Sequence, residues 1–223
     1  MSKERHDGRV GFWLGLALGT TWALTALRIL LIPLFLVLAA RTGEAVVQGE
    51  DDTVLRVLAL WTLLAMGLSD VLDGFLARRW GVETRAGAIA DAVADKGTQV
   101  AVLGYFALAA APGFWNVPLW FLGVLVGRDF LTLVGGAILR SVRGRGSMPV
   151  EHASHGRLAS VLVFLLLVGV TAGVNPVWLH GLLWASATAV VVSTVMYGRR
   201  ALRWTPDDAS ADPRSEATQG TTL

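Results

Sequence analysis

The chain has 223 residues, of which 54% are hydrophobic and 16% are charged, with a net charge of +2 and a mean hydropathy of +0.57. This composition excludes an ordinary soluble domain and indicates an all-α integral membrane protein. Cysteine is absent, which excludes disulfide and thiol chemistry.

The first 22 residues are predicted to form a cytoplasmic or interfacial N-terminal segment. Residues 1–9 are polar, and the apolar, glycine-rich stretch 11–21 is predicted to lie along the membrane interface as a helix. Trp13 and Trp22 would then lie at head-group level. The apolar stretch carries no convincing cleavage site, so we expect no cleavable signal peptide.

Apolar runs separated by polar or proline-containing segments predict six transmembrane helices in a membrane domain of residues 23–198. The predicted spans are 23–40, 53–80, 87–111, 119–139, 158–173 and 176–197. The predicted connections are an acidic loop at 41–52, a polar connector at 81–86, a turn at 112–118, a basic connector at 140–157 and a break at Asn175-Pro176. Residues 199–223 are predicted to be a disordered cytoplasmic tail.

The distribution of arginine and lysine predicts the orientation of these spans. The N-terminus, the segment 78–85, the connector 140–157 and the segment 199–203 are basic, whereas the alternate loops hold little positive charge. We therefore expect both termini to be cytoplasmic, together with the two basic connectors.

Four carboxylates interrupt the apolar sequence at the end of the second span and the start of the third: Asp70, Asp73, Asp91 and Asp95. A lone charge at a bilayer centre costs at least about 2.5–3.5 kcal/mol, and clustered carboxylates also repel each other. The spacings of three and four residues place each pair on one helix face. Two helices could thus present carboxylates to a shared space that holds hard divalent cations.

The eight fixed positions around these acids resemble the signature of the CDP-alcohol phosphotransferases, the integral-membrane enzymes that synthesise phospholipid head groups. The signature is Asp-x2-Asp-Gly-x2-Ala-Arg-x8-Gly-x3-Asp-x3-Asp, and it is met by Asp70, Asp73, Gly74, Ala77, Arg78, Gly87, Asp91 and Asp95. The alternative is a set of structural ion pairs with Arg78, Arg79, Arg85 and Lys96, but ion pairs do not require the glycines at these places.

The resemblance implies transfer of a phosphatidyl group from CDP-diacylglycerol to an alcohol, with release of CMP. It implies two divalent ions, Mg²⁺ or Mn²⁺, held by Asp70, Asp73, Asp91 and Asp95. Asp95 would act as the general base, with Asp91 beside it in the catalytic centre. Asp70, Gly74, Ala77 and Arg78 would bind the CDP moiety.

Two further residues lie in the first span, where Leu24-Thr25-Ala26-Leu27-Arg28 precedes Pro33. This stretch resembles one in the bacterial phosphatidylglycerophosphate synthase branch, although the Pro-Asn often found before it is missing. Thr25 is then expected to bind CDP and Arg28 the acceptor phosphate. The alternative is that Arg28 reaches a lipid phosphate at the interface.

The fourth span and the connector 140–157 contain three further arginines, in stretches that resemble the same branch. Arg128, followed by an aspartate as in cardiolipin synthases of the CDP-alcohol type, is expected to contact the acceptor phosphate together with Arg140. A structural ion pair with Asp129 is the alternative for Arg128. Arg157 is a further expected phosphate ligand, with lipid head-group contact as its alternative.

The acceptor implied by the resemblance is glycerol 3-phosphate or phosphatidylglycerol, and an inositol phosphate stays open. We also expect a homodimer in a plasma membrane of bacterial type, surrounded by membrane lipids and without a nucleic-acid partner. The contrasting hypothesis is a cation-binding membrane transporter, but the acidic motif has no inverted repeat in the second half of the chain. His152 and His155 belong to no ligand pattern and are expected to be solvated.

Overall fold

A computed structural model of the protein describes the backbone of residues 2–80, 85–109, 111–143 and 154–203. Side chains are described within 23–72, 93–109, 111–135 and 158–196, and at 75, 198 and 199. These residues form six helices and no strand, which confirms the predicted all-α class. The helices are α1 Ser2–Gln48, α2 Thr53–Trp80, α3 Arg85–Leu108, α4 Leu119–Arg143, α5 Ser154–Thr171 and α6 Pro176–Arg203.

Three stretches of the described residues are long and apolar enough to cross a membrane: Ala23–Gln48, Thr53–Leu72 and Pro176–Met196. Leu158–Thr171 is a shorter apolar helix. Large apolar side chains on these helices, including Leu30, Trp61 and Trp178, are mostly exposed. Such surfaces suit lipid, because a helix that satisfies its own backbone hydrogen bonds can face hydrocarbon. The protein is therefore a membrane protein, and six complete spans stay a prediction.

The predicted acidic loop at 41–52 is wrong over most of its length, because α1 continues to Gln48. Arg41 and Glu44 form an exposed ion pair of 3.4 Å within the helix. The helix ends at Gly49, whose φ of 70° is the left-handed conformation typical of a C-terminal cap. Glu50 then donates its backbone N–H to the carbonyl of Ala45 at 2.9 Å. Charged residues on an exposed helix face do not end a helix, whereas this glycine does.

The fourth and sixth helices continue beyond the ends predicted for them, at 139 and 197. α4 includes residues up to Arg143, α5 begins at Ser154 and α6 includes residues up to Arg203. Both ends of the predicted connector 140–157 and the first residues of the predicted tail are therefore helical. α1 is also continuous from Ser2, and the structure therefore does not separate an N-terminal helix from the first span. The segments 81–84, 144–153 and 204–223 lie outside the described residues.

Side-chain caps fix the starts of two helices. Before α2, Asp51 accepts a hydrogen bond of 3.0 Å from the backbone N–H of Thr53, and the Thr53 hydroxyl also donates to it. These bonds lower the pKa of Asp51. Before α6, Asn175 accepts from the backbone N–H of Val177 at 2.9 Å, which confirms the predicted break at Asn175-Pro176.

The chain divides into two compact units. The first contains the described residues of 1–122 and 164–179, and the second those of 123–163 and 180–223. In the second unit, Leu125 of α4, Ala159 and Val163 of α5, and Leu183 and Val190 of α6 are buried. The first unit contains α1, α2 and α3. The acidic motif lies in α2 and α3.

Within the first unit, α1 packs against both α2 and α3. The ring of Phe35 on α1 meets that of Phe106 on α3 edge to face, with 6.1 Å between ring centroids. One end of α1 approaches the turn after α3, where a Cβ on Gly43 would lie 3.2 Å from Pro112. Towards the other end, Arg28 contacts Asp70 of α2. α3 thus runs in the same direction as α1, and α2 runs in the opposite direction.

Gly113 in the confirmed turn at 112–118 is expected to be intolerant of a side chain. Its φ is 77°, and an added Cβ would lie 2.6 Å from Val46 Cγ2. We expect Gly113→Ala to lower the free energy of unfolding by about 2–4 kcal/mol, from left-handed strain plus overpacking. Gly49→Ala is the control, because Gly49 has a φ of 70° but open space around it. Equal shifts of the thermal unfolding midpoint for both variants would contradict the proposed steric contribution.

Candidate functional site

The acidic motif lies on two helices, as the spacing predicts. Asp70, Asp73, Gly74, Ala77 and Arg78 are in the C-terminal half of α2. Gly87, Asp91 and Asp95 are in the first turns of α3. Of these residues, the side chains of Asp70 and Asp95 are described and both are half-buried, whereas those of Asp73, Ala77, Arg78 and Asp91 lie outside the described residues.

The helix directions bring the first and last carboxylates of the motif to the same end of the first unit. Arg28 lies seven residues before Phe35 on α1, and Asp95 lies eleven residues before Phe106 on α3. At 1.5 Å per residue these separations are about 10 Å and about 16 Å along the helix axes. Because Phe35 and Phe106 are in contact, Asp95 lies about 6 Å beyond the level of Arg28, which itself holds Asp70.

Arg28 contacts two consecutive residues of α2. Its Nη1 lies 3.2 Å from Asp70 Oδ1, and its Nε donates to Ser69 Oγ at 3.5 Å. The Ser69 hydroxyl in turn donates to the backbone carbonyl of Met66 at 2.8 Å. The Arg28 side chain is 1% exposed and that of Asp70 is 44% exposed. Burial of Arg28 inside the protein disfavours the alternative that it reaches a lipid phosphate.

Thr25 lies three residues before Arg28, on the same face of α1, and is also buried. Its position beside the Arg28–Asp70 pair is compatible with the predicted contact to CDP. That contact stays a prediction, as does the role of Arg28 towards an acceptor phosphate.

A glycine shapes α2 one turn before Asp70. A Cβ on Gly67 would overlap the ring of Phe164, which α5 presents to this part of the first unit. The absence of a side chain at Gly67 therefore lets an aromatic ring pack directly on the α2 backbone. This contact fixes the helix that carries the first half of the motif.

The remaining predicted phosphate ligands are in the second unit. Arg128 and Asp129 are half-buried on α4, and consecutive residues on a helix do not face each other. The acceptor-phosphate role of Arg128 and the alternative ion pair with Asp129 both stay predictions. Arg140 in α4 and Arg157 in α5 have helical backbones, and their side chains lie outside the described residues. His152 also lies outside these residues, and His155 has a described backbone within α5.

The Arg28–Ser69–Asp70 arrangement was not predicted from the sequence. The available signals were weak: Arg28 is the single charged residue within 23–40, and Ser69 directly precedes the motif. A membrane span with one arginine requires a partner for that charge. The sequence alone did not identify which of the acids supplies it.

Comparison with known proteins places these features in context. The family model described as CDP-alcohol phosphatidyltransferase matches residues 20–197. A Mycobacterium tuberculosis protein named "Probable phosphatidylglycerophosphate synthase" is 31% identical over 190 residues, which are 81% of this chain and 80% of that protein.

Two other similar proteins differ in the head group that their names specify. A Mycobacteroides abscessus protein named "Phosphatidylinositol phosphate synthase" is 32% identical over 171 residues, 74% of this chain and 72% of that protein. A Drosophila melanogaster protein named "Probable cardiolipin synthase (CMP-forming)" is 33% identical over 110 residues. That match covers 48% of this chain and 30% of the Drosophila protein.

Proposed function

Because the chain belongs to the CDP-alcohol phosphatidyltransferase family, we propose that it transfers a phosphatidyl group from CDP-diacylglycerol to glycerol 3-phosphate. The observation that carries the proposal is the family match over residues 20–197, which includes all eight positions of the acidic motif. The match favours an enzyme over the cation-binding transporter considered as an alternative. The proteins of this family act in the membrane, and the apolar helices of this chain agree with that location.

The reaction exchanges one phosphate linkage for another. The acceptor hydroxyl oxygen forms a bond to the phosphorus that carries diacylglycerol, and the phosphoanhydride bond from that phosphorus to CMP breaks. The acceptor loses its hydroxyl proton, and CMP leaves with the bridging oxygen. We assign proton removal to the carboxylate of Asp95, which needs only to be unprotonated and within hydrogen-bonding distance of the hydroxyl.

The family uses divalent metal ions, and the residues of this chain fit that requirement. Carboxylate oxygens are the donors that Mg²⁺ and Mn²⁺ prefer. Asp70 and Asp95 lie at the same end of the first unit, and 44% of the Asp70 side chain is exposed although Arg28 contacts its Oδ1. Asp70, Asp73, Asp91 and Asp95 would together hold two ions. Bound metal would neutralise the diphosphate and the charge that develops as the anhydride breaks.

The residues next to the acids suit a bound nucleotide. Gly74 and Ala77 lack bulk on α2, so the CDP moiety can approach the helix backbone closely. Arg78 provides a planar cation for a phosphate, and Thr25 provides a hydroxyl. Arg128, Arg140 and Arg157 are the proposed cations for the acceptor phosphate. We propose that this site opens to the cytoplasm, with both termini on the same side, and that the protein functions as a homodimer.

Two acceptors other than glycerol 3-phosphate have a specific observation in their favour. The similarity to a phosphatidylinositol phosphate synthase over 74% of this chain favours an inositol phosphate. The Arg128-Asp129 dipeptide in the sequence and the similarity to a cardiolipin synthase favour phosphatidylglycerol as the acceptor. Glycerol 3-phosphate is preferred because the match to a phosphatidylglycerophosphate synthase covers 81% of this chain and 80% of that protein, more than the phosphatidylinositol phosphate synthase and Drosophila cardiolipin synthase matches cover.

The purified protein is expected to release CMP from CDP-diacylglycerol only when a divalent ion and a suitable acceptor are both present. The measurement compares glycerol 3-phosphate, an inositol phosphate and phosphatidylglycerol, each with Mg²⁺, with Mn²⁺ and with EDTA. Lipid products are identified by mass spectrometry. Preferred turnover of glycerol 3-phosphate supports the proposal, and preference for another acceptor reassigns the head group. Absence of CMP release from every mixture would refute the proposed activity.

A further inference from the structure

We propose that Arg28 is a positioning residue that holds the Asp70 carboxylate in a fixed orientation towards bound divalent metal. This inference rests on the proposed function, since it assumes that Asp70 is a metal ligand. It assigns to Arg28 a role different from the acceptor-phosphate contact predicted from the sequence. The contacts of Arg28, its burial and the exposure of Asp70 carry the inference.

The first step is the geometry of the guanidinium group. Two of its nitrogens, Nε and Nη1, meet acceptors on consecutive residues of α2, at 3.5 Å on Ser69 and 3.2 Å on Asp70. The planar guanidinium fixes the angle between these two donors, whereas a lysine has one ammonium on a flexible stem. The contact to Ser69 therefore determines where the contact to Asp70 can be made.

The second step is the fixed orientation of Ser69. Its hydroxyl donates to the Met66 carbonyl at 2.8 Å, so its proton is directed along α2 and a lone pair is available to Arg28. Ser69 is 4% exposed and Arg28 is 1% exposed, so water has little access to this chain of hydrogen bonds. The α2 backbone, the serine and the arginine together form a rigid support for one carboxylate oxygen.

The third step is the contrast in exposure between the two charged partners. Arg28 is enclosed by the protein, whereas the Asp70 side chain is 44% exposed. The arginine thus contacts the carboxylate from the protein interior, and the exposed side is the one that an incoming ligand can reach. Replacing a residue that hydrogen-bonds to a metal-ligating carboxylate and orients it commonly weakens metal binding about 10–100-fold.

The test is the dissociation constant for Mn²⁺, measured by the electron paramagnetic resonance signal of free Mn²⁺ on the purified full chain without substrates. We expect Arg28→Lys to raise the dissociation constant for Mn²⁺ about 10–100-fold, because lysine keeps the charge but lacks the two fixed guanidinium donors. We expect Ser69→Ala to raise it by about tenfold, the lower end of that range. Thr62→Val is the matched control, because Thr62 is a buried α2 hydroxyl that donates to the Leu58 carbonyl at 2.8 Å.

Thermal unfolding and the KM for the acceptor separate positioning from other roles. Weaker Mn²⁺ binding by Ser69→Ala, with wild-type unfolding and with an unchanged acceptor KM at saturating Mn²⁺, supports the inference. Wild-type Mn²⁺ affinity in folded Ser69→Ala and Arg28→Lys overturns the inference. A raised KM for the acceptor, with unchanged Mn²⁺ affinity, also overturns it and indicates that Arg28 contacts the acceptor phosphate. Absence of Mn²⁺ binding by the wild-type chain also overturns it. The acceptor panel tests the reaction separately, because weaker Mn²⁺ binding by the variants needs no turnover to be observed.

Discussion

Replacing Asp95 with asparagine is expected to lower the turnover number about 10²–10⁴-fold, the usual contribution of a positioned general base. The amide has nearly the shape of the carboxylate but cannot take a proton from the acceptor hydroxyl. Asp95 is half-buried in the third turn of α3, and asparagine fits the same space. The loss should therefore appear in turnover, with the thermal unfolding midpoint close to that of the wild type.

The control for Asp95→Asn is the same change at Asp51. Asp51 caps α2 at the opposite end of the first unit, and asparagine can also accept the N–H bond from Thr53. Asp51→Asn is therefore expected to keep wild-type turnover. Rates are measured as CMP release over a range of Mn²⁺ concentrations. Recovery of turnover at high Mn²⁺ would identify Asp95 as mainly a metal ligand, and unchanged turnover at all concentrations would remove it from the mechanism.

The helices of the first unit illustrate what the sequence predicts well. The acidic motif was expected on two helices, and α2 and α3 do contain its two halves. This prediction succeeded because the spacing of three and four residues is itself a property of a helix face. The turn at 112–118 was also predicted, because proline and glycine limit the backbone locally.

The errors concern charged residues near helix ends. Arg41 and Glu44 were assigned to a loop, although they pair on the exposed face of α1. Arg143 and Arg203 were assigned to polar segments, although each has a helical backbone. Charge shows that a residue needs water, a head group or a counter-ion, and a helix end provides all three environments. The glycine at position 49 was the better signal for a helix end.

The pairing of Arg28 with Asp70 could not be predicted in the same way. The two residues are 42 positions apart and lie on different helices, so no local spacing connects them. The four acids of the motif and several basic residues allow many different ion pairs. The packing of α1 against α2 brings Arg28 to Asp70 and to Ser69 beside it. The sequence predicted the chemistry of the site, whereas the supporting contacts depend on tertiary structure.

Replacing Arg56 with alanine is expected to lower the free energy of unfolding by about 2–3 kcal/mol, the range of hydrogen bonds to charged groups. Arg56 joins three parts of the first unit at the end opposite Arg28. Its guanidinium binds Asp52 Oδ2 at 2.6 Å, donates to the Gly113 carbonyl at 3.0 Å and donates to the Thr171 carbonyl at 3.5 Å. It also lies 4.8 Å from the centre of the Phe114 ring.

Alanine at position 56 would leave two loop or helix-end carbonyls and a half-buried carboxylate without this donor. Arg41→Ala is the matched control, because Arg41 is 68% exposed and forms a single 3.4 Å pair with Glu44. That pair should contribute less than about 0.5 kcal/mol. The measurement is the unfolding midpoint in detergent for both variants, with Arg56→Lys expected between Arg56→Ala and the wild type. Equal unfolding midpoints for Arg56→Ala and Arg41→Ala would contradict a stabilising role of the Arg56 contacts.

Turnover gives the second part of this test. Arg56 lies in the first turn of α2, and Asp70 lies fourteen residues further along the same helix, about 21 Å away along its axis. Below its unfolding temperature, Arg56→Ala is therefore expected to keep wild-type CMP release, because the carboxylates remain on an intact helix. A folded Arg56→Ala protein with weak Mn²⁺ binding would show instead that the two ends of α2 are coupled. Retained binding would mean that stability depends on one end of the helix and chemistry on the other.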